Sequence, residues 1–234
     1  VAQVVNDNLE WVGGNTIVVQ VGDQLDRGNG EYAIFELFER LGHEAKASNG
    51  GFYPLIGNHE VMNVEGKLSF VTRAGLAAFP VQPVASPGSN LREADDLAGL
   101  WEIRKAAFLP GRPYAAKLAE HNVVMVVGDT LFVHGGIFDK KYELDAINTQ
   151  TREWLLGYIV MPEFLEESEF YNPVWDRQYS KPRNVSEEKC KELSVFLTHF
   201  KVKRMVVAHT PQPAGITSTC GNLVWRVDVG LSNY

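Results

Sequence analysis

Two short polar segments, each at the end of an apolar run, hold residue types suited to metal and phosphate chemistry. Thr16-Ile17-Val18-Val19-Gln20-Val21 leads into Gly22-Asp23-Gln24-Leu25-Asp26-Arg27-Gly28, and Gly51-Phe52-Tyr53-Pro54-Leu55-Ile56 leads into Gly57-Asn58-His59-Glu60. The first segment sets two carboxylates and a guanidinium between glycines that permit a tight turn. Charge gathered at the carboxyl end of a buried strand is costly unless it binds a metal or an anion. Two later segments add imidazoles in the same kind of position: His134 in Leu131-Phe132-Val133-His134-Gly135-Gly136, and His209 in Val207-Ala208-His209-Thr210-Pro211. Divalent ions take carboxylate, amide-oxygen and imidazole ligands. Asp23, Asn58, His134 and His209 offer that set, and Asp23 can bridge two ions. A pair of ions about 3.5–4 Å apart clamps the attacking and leaving oxygens of a displacement and lowers the pKa of a bound water.

Acid–base and anion-binding groups lie among the same residues. Asp26 and His59 make an acid pair: a carboxylate bonded to an imidazole favours the protonated ring, which can donate to a leaving oxygen. Arg27 supplies a planar fork suited to phosphate oxygens, and Arg177, in Pro173-Val174-Trp175-Asp176-Arg177, is a candidate to complete the clamp. Gly135 and Gly136 are expected to leave space for a closely packed ion. Glu60 is read as a support for the ligands, Asp129 as part of a hairpin turn, and His43, His121 and His199 as structural.

These residues need strands to carry them to one place. Apolar runs at 16–21, 51–56, 123–127, 131–133, 205–208 and 223–229 read as strands, most ending in a short polar loop. The stretch 31–41 reads as a helix with Ile34, Phe38 and Leu41 on its inner face. A second helix is expected over 91–108 and a third over 144–157, while the acidic stretch 163–169 reads as a solvated surface. Strands alternating with helices indicate an α/β layered fold with a parallel-rich sheet. Residues 66–120, rich in Pro and Gly, look like an insertion that folds as a helical cap over the strand ends.

The bulk numbers narrow the function classes. A chain of 234 residues can hold one substantial core, here read as one catalytic domain with its cap. Its net charge is −7 and no Lys/Arg stripe occurs, which argues against nucleic acid and anionic membranes as partners. Cys190 and Cys220 read as two reduced thiols of an intracellular protein, cytoplasmic or organellar, although their spacing leaves a bridge open.

Gly-Asp-Gln-Leu-Asp-Arg-Gly, Gly-Asn-His-Glu, His-Gly-Gly and Ala-His-Thr-Pro occur in the order found in the phosphoprotein phosphatase group of calcineurin-like metallophosphoesterases, which the chain resembles along nearly its whole length. Gln20 to Gly28, Pro113-Tyr114, Gly128 to Gly136 and Pro173-Val174-Trp175 are similar to its Shewanella-like branch. The resemblance implies a four-layer α/β/β/α fold, a central β-sandwich flanked by helices. It implies two metal ions (manganese, iron or zinc), with Asp23 bridging and Asn58, His134 and His209 completing the second site. His59 would be the general acid oriented by Asp26, and Arg27 and Arg177 would hold phosphate. A metal-bridging hydroxide would attack a phosphoprotein directly, at phosphoserine or phosphothreonine, with phosphotyrosine a further candidate. The family's opening Asp-x-His motif has no counterpart: the first aspartate is Asp7 and no histidine precedes His43. The family's first strand is therefore expected to be missing from this sequence. Two other readings stand beside a phosphatase: a small-molecule phosphohydrolase such as a diadenosine-tetraphosphate hydrolase, and an inactive scaffold that binds phosphoproteins.

Overall fold

The β-branched runs form strands and the loops after them gather at one end. The computed structural model describes residues 3–80, 96–137, 141, 143–166, 171–181 and 184–231. Two parallel strands, β1 (Ile17–Gln20) and β2 (Gly51–Pro54), are joined by the helix α1 (Glu31–Ala47). The helix α2 (Asn58–Val64) follows β2, and α3 (Arg73–Leu76), α4 (Leu97–Phe108) and α5 (Pro113–Leu118) occupy the expected insertion. The antiparallel hairpin of β3 (Val124–Val127) and β4 (Thr130–Val133) comes next, with Asp129 in its turn as expected. After α6 (Leu144–Leu155) and α7 (Glu187–His199) come β5 (Arg204–Val207), β6 (Thr217–Thr219) and β7 (Val224–Arg226).

The second sheet has the order β3-β4-β5-β7-β6, with the β4–β5 and β5–β7 pairs parallel. A bridge between Leu55 and Asn122 ties the end of β2 to the segment entering β3. The loops after β1, β2, β4 and β5 consequently converge. Gly22 marks a close approach: its φ is +89°, and a Cβ there would lie 2.7 Å from the Gly57 nitrogen and 2.9 Å from His134 Nδ1.

The core is one large apolar cluster running from Leu25 and Phe35 to Val224. On α1 the inner face is Phe35, Leu41 and Ala45, with Glu31 buried at its start, whereas Ile34 is exposed. The inner face is rotated from the expected Ile34–Phe38–Leu41 stripe because Glu31 turns inward to an arginine of α4. The expected helix over 91–108 begins at Leu97 within the described residues, its first positions lying outside them, as do 167–169 of the acidic stretch. In the described part of that stretch, Phe164 and Leu165 are buried.

The cysteines depart from the reading as separate reduced thiols. Cys190 of α7 and Cys220, just after β6, are disulfide-bonded with their Cα atoms 5.2 Å apart. The fold brings together two residues whose 30-residue separation says nothing about distance. Among the described residues, no helix is long and apolar enough to cross a membrane.

Candidate active site

The first motif loop, and His209 beyond β5, take conformations that L-residues rarely adopt. Asp23 (φ +60°), Asp26 (+73°), Arg27 (+56°) and His209 (+62°) are all left-handed. Such backbone persists only where its surroundings over-determine it, and it concentrates at functional sites. Here Glu60 does much of the holding. Its carboxylate accepts from the backbone N–H of Gly57 (2.7 Å), Asp23 (2.8 Å), Gln24 (2.9 Å) and Leu25 (3.1 Å), so one buried side chain sets both motif loops. Burial and then the Asp23 charge push the Glu60 pKa up, and the N–H donors oppose them.

Asp23, Asn58, His134 and His209 meet at a point. His134 Nδ1 donates to the carbonyl of Val21 (2.6 Å), which directs Nε2 inward. That nitrogen faces Asp23 Oδ2 (3.2 Å), Asn58 Oδ1 (3.1 Å) and His209 Nδ1 (3.2 Å). A single N–H cannot point at three acceptors, whereas one cation satisfies all four lone-pair atoms, so the donor set fits a metal ion. Ligand atoms of Asp23, His134 and His209 lie within 4.8 Å of one another, the one such group among the described residues. His209 Nε2 is also buried, with no hydrogen-bond partner.

The electrostatics favour the ligand form of Asp23 and His209 but, without an ion, the protonated form of His134. Burial, reinforced by His134 and Arg177, drives the His209 pKa down to about 3, leaving a neutral ring with a free lone pair at neutral pH. Burial opposes ionisation of Asp23, but His134 and His59 outweigh it and hold the carboxyl well below the usual range. His134 is raised: burial works against the charged ring, and Asp23 overcomes it.

Beside this cluster, His59 Nδ1 lies 2.6 Å from Asp26 Oδ2. An ionised carboxylate only accepts, so the ring donates through Nδ1 and its Nε2 is left on the Asp23 side, 4.0 Å from Oδ2. Arg27 is exposed, with its guanidinium 4.8 Å over the Phe70 ring; that ring meets His59 edge-on at 5.2 Å. Arg177 Nη1 donates to the His209 carbonyl (2.6 Å) and the Thr210 hydroxyl (2.9 Å). Burial lowers the Arg177 pKa, Asp23 raises it, and Arg27 lowers it again, so Arg177 feels the charges of both Asp23 and Arg27. The glycines after His134 serve a different purpose from the expected one. A Cβ on Gly135 would lie 2.8 Å from the Asp176 nitrogen, so these glycines admit the loop carrying Arg177 rather than an ion.

The Metallophos family model, described as calcineurin-like phosphoesterase, matches residues 2–213. The chain belongs to the calcineurin-like phosphoesterase family. Shewanella-like protein phosphatase 2 of Arabidopsis thaliana is 33% identical over 264 aligned positions, covering 99% of this phosphoesterase and 66% of the plant protein. Shewanella-like protein phosphatase 1 of Plasmodium berghei is 27% identical, covering all of this chain and 62% of the parasite protein. The phosphoesterase thus spans slightly less than two thirds of the length of either relative. The crystal structure of a cold-active protein-tyrosine phosphatase from a psychrophilic Shewanella species superposes with a TM-score of 0.72 at 24% identity, over 98% of this chain and 65% of the other. That likeness establishes the calcineurin-like fold: mixed α/β, central sheets flanked by helices.

All eight sequence-nominated residues of the phosphoesterase lie at or around this site. Several others around it carried no motif. Asn63 is four residues after His59, hence on the same face of α2, and that spacing is a usable signal. Phe70, Glu31 and Arg104 come from three different elements and gave none.

Proposed function

We propose that this phosphoesterase is the catalytic part of a metal-dependent phosphoprotein phosphatase, and that it cleaves phosphomonoesters of serine and threonine, with phosphotyrosine a further substrate class. The observation that carries the reading is the convergence of Asp23, Asn58 and His209 on His134 Nε2, next to the Asp26–His59 pair. The names of its relatives support the same reaction class.

In this reading Asp23, Asn58, His134 and His209 would hold metal, one of two ions drawn from manganese, iron and zinc. Bound ions would supply Lewis acidity at the phosphoryl oxygens and an activated water. The chain's own residues do the rest. Arg27 and Arg177 bind the non-reacting phosphate oxygens; the His209 and Thr210 bonds to Arg177 Nη1 fix one edge of its fork. His59 gives the proton on Nε2 to the leaving oxygen and keeps the proton on Nδ1, where Asp26 accepts it. Phe70 packs against the His59 ring and beneath the Arg27 guanidinium, which stays open to solvent. The described part of the insertion, α3 to α5, would border the groove, with α4 and α5 packed into the main core. The partner is a phosphoprotein; the net charge of −7 argues against nucleic acid and anionic membrane surfaces. The site of action is intracellular, and the Cys190–Cys220 bond favours an oxidising organelle over the cytosol.

The test is turnover by the metal-loaded, full-length protein on a phosphopeptide panel beside dinucleoside polyphosphates. Hydrolysis of phosphopeptides with two ions bound per chain is expected. Activity on the dinucleotides alone would make it a small-molecule phosphohydrolase, and phosphopeptide binding without metal or turnover would make it a scaffold.

A further inference from the structure

Asp26 is held from two directions by one arginine of α4. Arg104 is completely buried, its guanidinium packed against the rings of Phe79 (4.4 Å) and Phe108 (4.3 Å), which themselves meet edge to face. Its Nε donates to Asn63 Oδ1 (2.8 Å), and Asn63 Nδ2 donates to Asp26 Oδ1 (2.8 Å) and to the His59 carbonyl (2.9 Å). Its Nη1 and Nη2 fork onto Glu31 Oε1 (3.0 Å) and Oε2 (3.1 Å), and Glu31 Oε2 accepts from the Asp26 backbone N–H (2.8 Å). One arm therefore reaches the Asp26 carboxylate and the other its main chain, at a residue whose φ is +73°.

The polarity of this network is fixed from both ends, by a guanidinium that only donates and by a carboxylate and a carbonyl that only accept. An amide can present either its oxygen or its nitrogen to a neighbour, but a guanidinium carries donors only. Arg104 thus obliges Asn63 to turn its oxygen toward α4 and its NH₂ toward Asp26. With Oδ1 so engaged, Asp26 offers Oδ2 to the ring of His59. The reversed amide would set an oxygen against a carboxylate. Glu31, Asn63 and Arg104 are all buried, so no water competes for these bonds.

We propose that Asn63, with its orientation fixed by Arg104, is a positioning residue for His59: it sets the carboxylate that aims the proton donor at the leaving group. The proposal rests on the reading of His59 as general acid. A purely structural role, stapling α4 to α1 and α2, would lower activity on all substrates alike. A positioning role makes the loss depend on how much the leaving oxygen needs a proton.

Asn63→Asp separates the two. It keeps the volume and the acceptor for Arg104 but removes the donor to Asp26. In the metal-loaded, full-length enzyme, turnover of a phosphoserine peptide should fall by about 30-fold or more, a large part of the roughly 10²–10⁴-fold that general acids supply. Turnover of p-nitrophenyl phosphate, whose leaving group needs no proton, should fall by less than about threefold. The proton NMR signal of the His59 Nδ1–H bond should shift or vanish in the metal-free protein as well. His59→Asn serves as the reference. If it is unselective, the general-acid reading fails; if it is selective and Asn63→Asp is not, the positioning proposal fails alone. If Asn63→Asp does not fold, the neutral pair Arg104→Met with Glu31→Gln, which leaves no unpaired buried charge, reads the same ratio. An equal loss on both substrates in that pair overturns the proposal.

Discussion

Asp176 sits buried beside Gly136, one residue before Arg177, and burial lifts its carboxyl pKa from 3.8 to about 6 although Gln178 N–H donates to it at 3.0 Å. A raised carboxyl pKa means that the folded protein holds the proton more tightly than the unfolded chain. Its stabilising contribution is full below about pH 4 and is lost as pH rises through about 6. Asp176→Asn keeps the acceptor for Gln178 and cannot ionise. It should raise stability by about 1–3 kcal/mol at pH 7.5 and change little near pH 4, as thermal melts at the two pH values would read. An equal gain at both values would sink this account. At this scale the sequence was legible where each residue type has a single chemical use at a strand end: Asp23, Asn58, His134 and His209 were nominated and do converge. Asn63 and Arg104 were not, because a buried amide and a buried guanidinium acquire meaning only from partners 37 and 41 residues distant in the chain.

Strand elements were readable in advance because β-branched runs between glycine-bearing turns have few alternatives. The helix α2 was missed: all seven of its residues are buried, so it has no polar face and no amphipathic period to detect. β6 has three residues and is defined by its partner β7 rather than by its own side chains. The helix α7 had a signal, Ser186 capping the Lys189 N–H with Glu187 and Glu188 in the first turn, that the strand-centred reading passed over. Its disulfide to the β6 end carries a prediction at this scale. Closing a loop of 30 residues restricts the unfolded chain by about 3–4 kcal/mol. Replacing both cysteines with alanine should lower denaturation stability by about that amount while leaving metal affinity unchanged. A loss of metal affinity instead would mean that the bond supports the His209 loop.

The whole molecule is organised so that two sheets contribute to one ligand set: Asp23 and Asn58 follow the strands of one, His134 and His209 those of the other. An ion bound there links both halves of the fold, and binding to the native state alone adds its free energy to stability. Manganese at a hundred times its dissociation constant should stabilise the protein by about 2.7 kcal/mol, or roughly 5–10 °C in melting temperature for a chain of this size. A chelator should reverse the shift, and His134→Ala should abolish it. An undiminished shift in that variant would place the ion elsewhere.

The buried Arg104 has a consequence for how such a protein can change over generations. Loss of the arginine alone would strand the Glu31 carboxylate and free the Asn63 amide to turn, so the three positions form one inherited unit. Among descendants of a common ancestor, they are expected to be kept or exchanged together, whatever becomes of the surface around them.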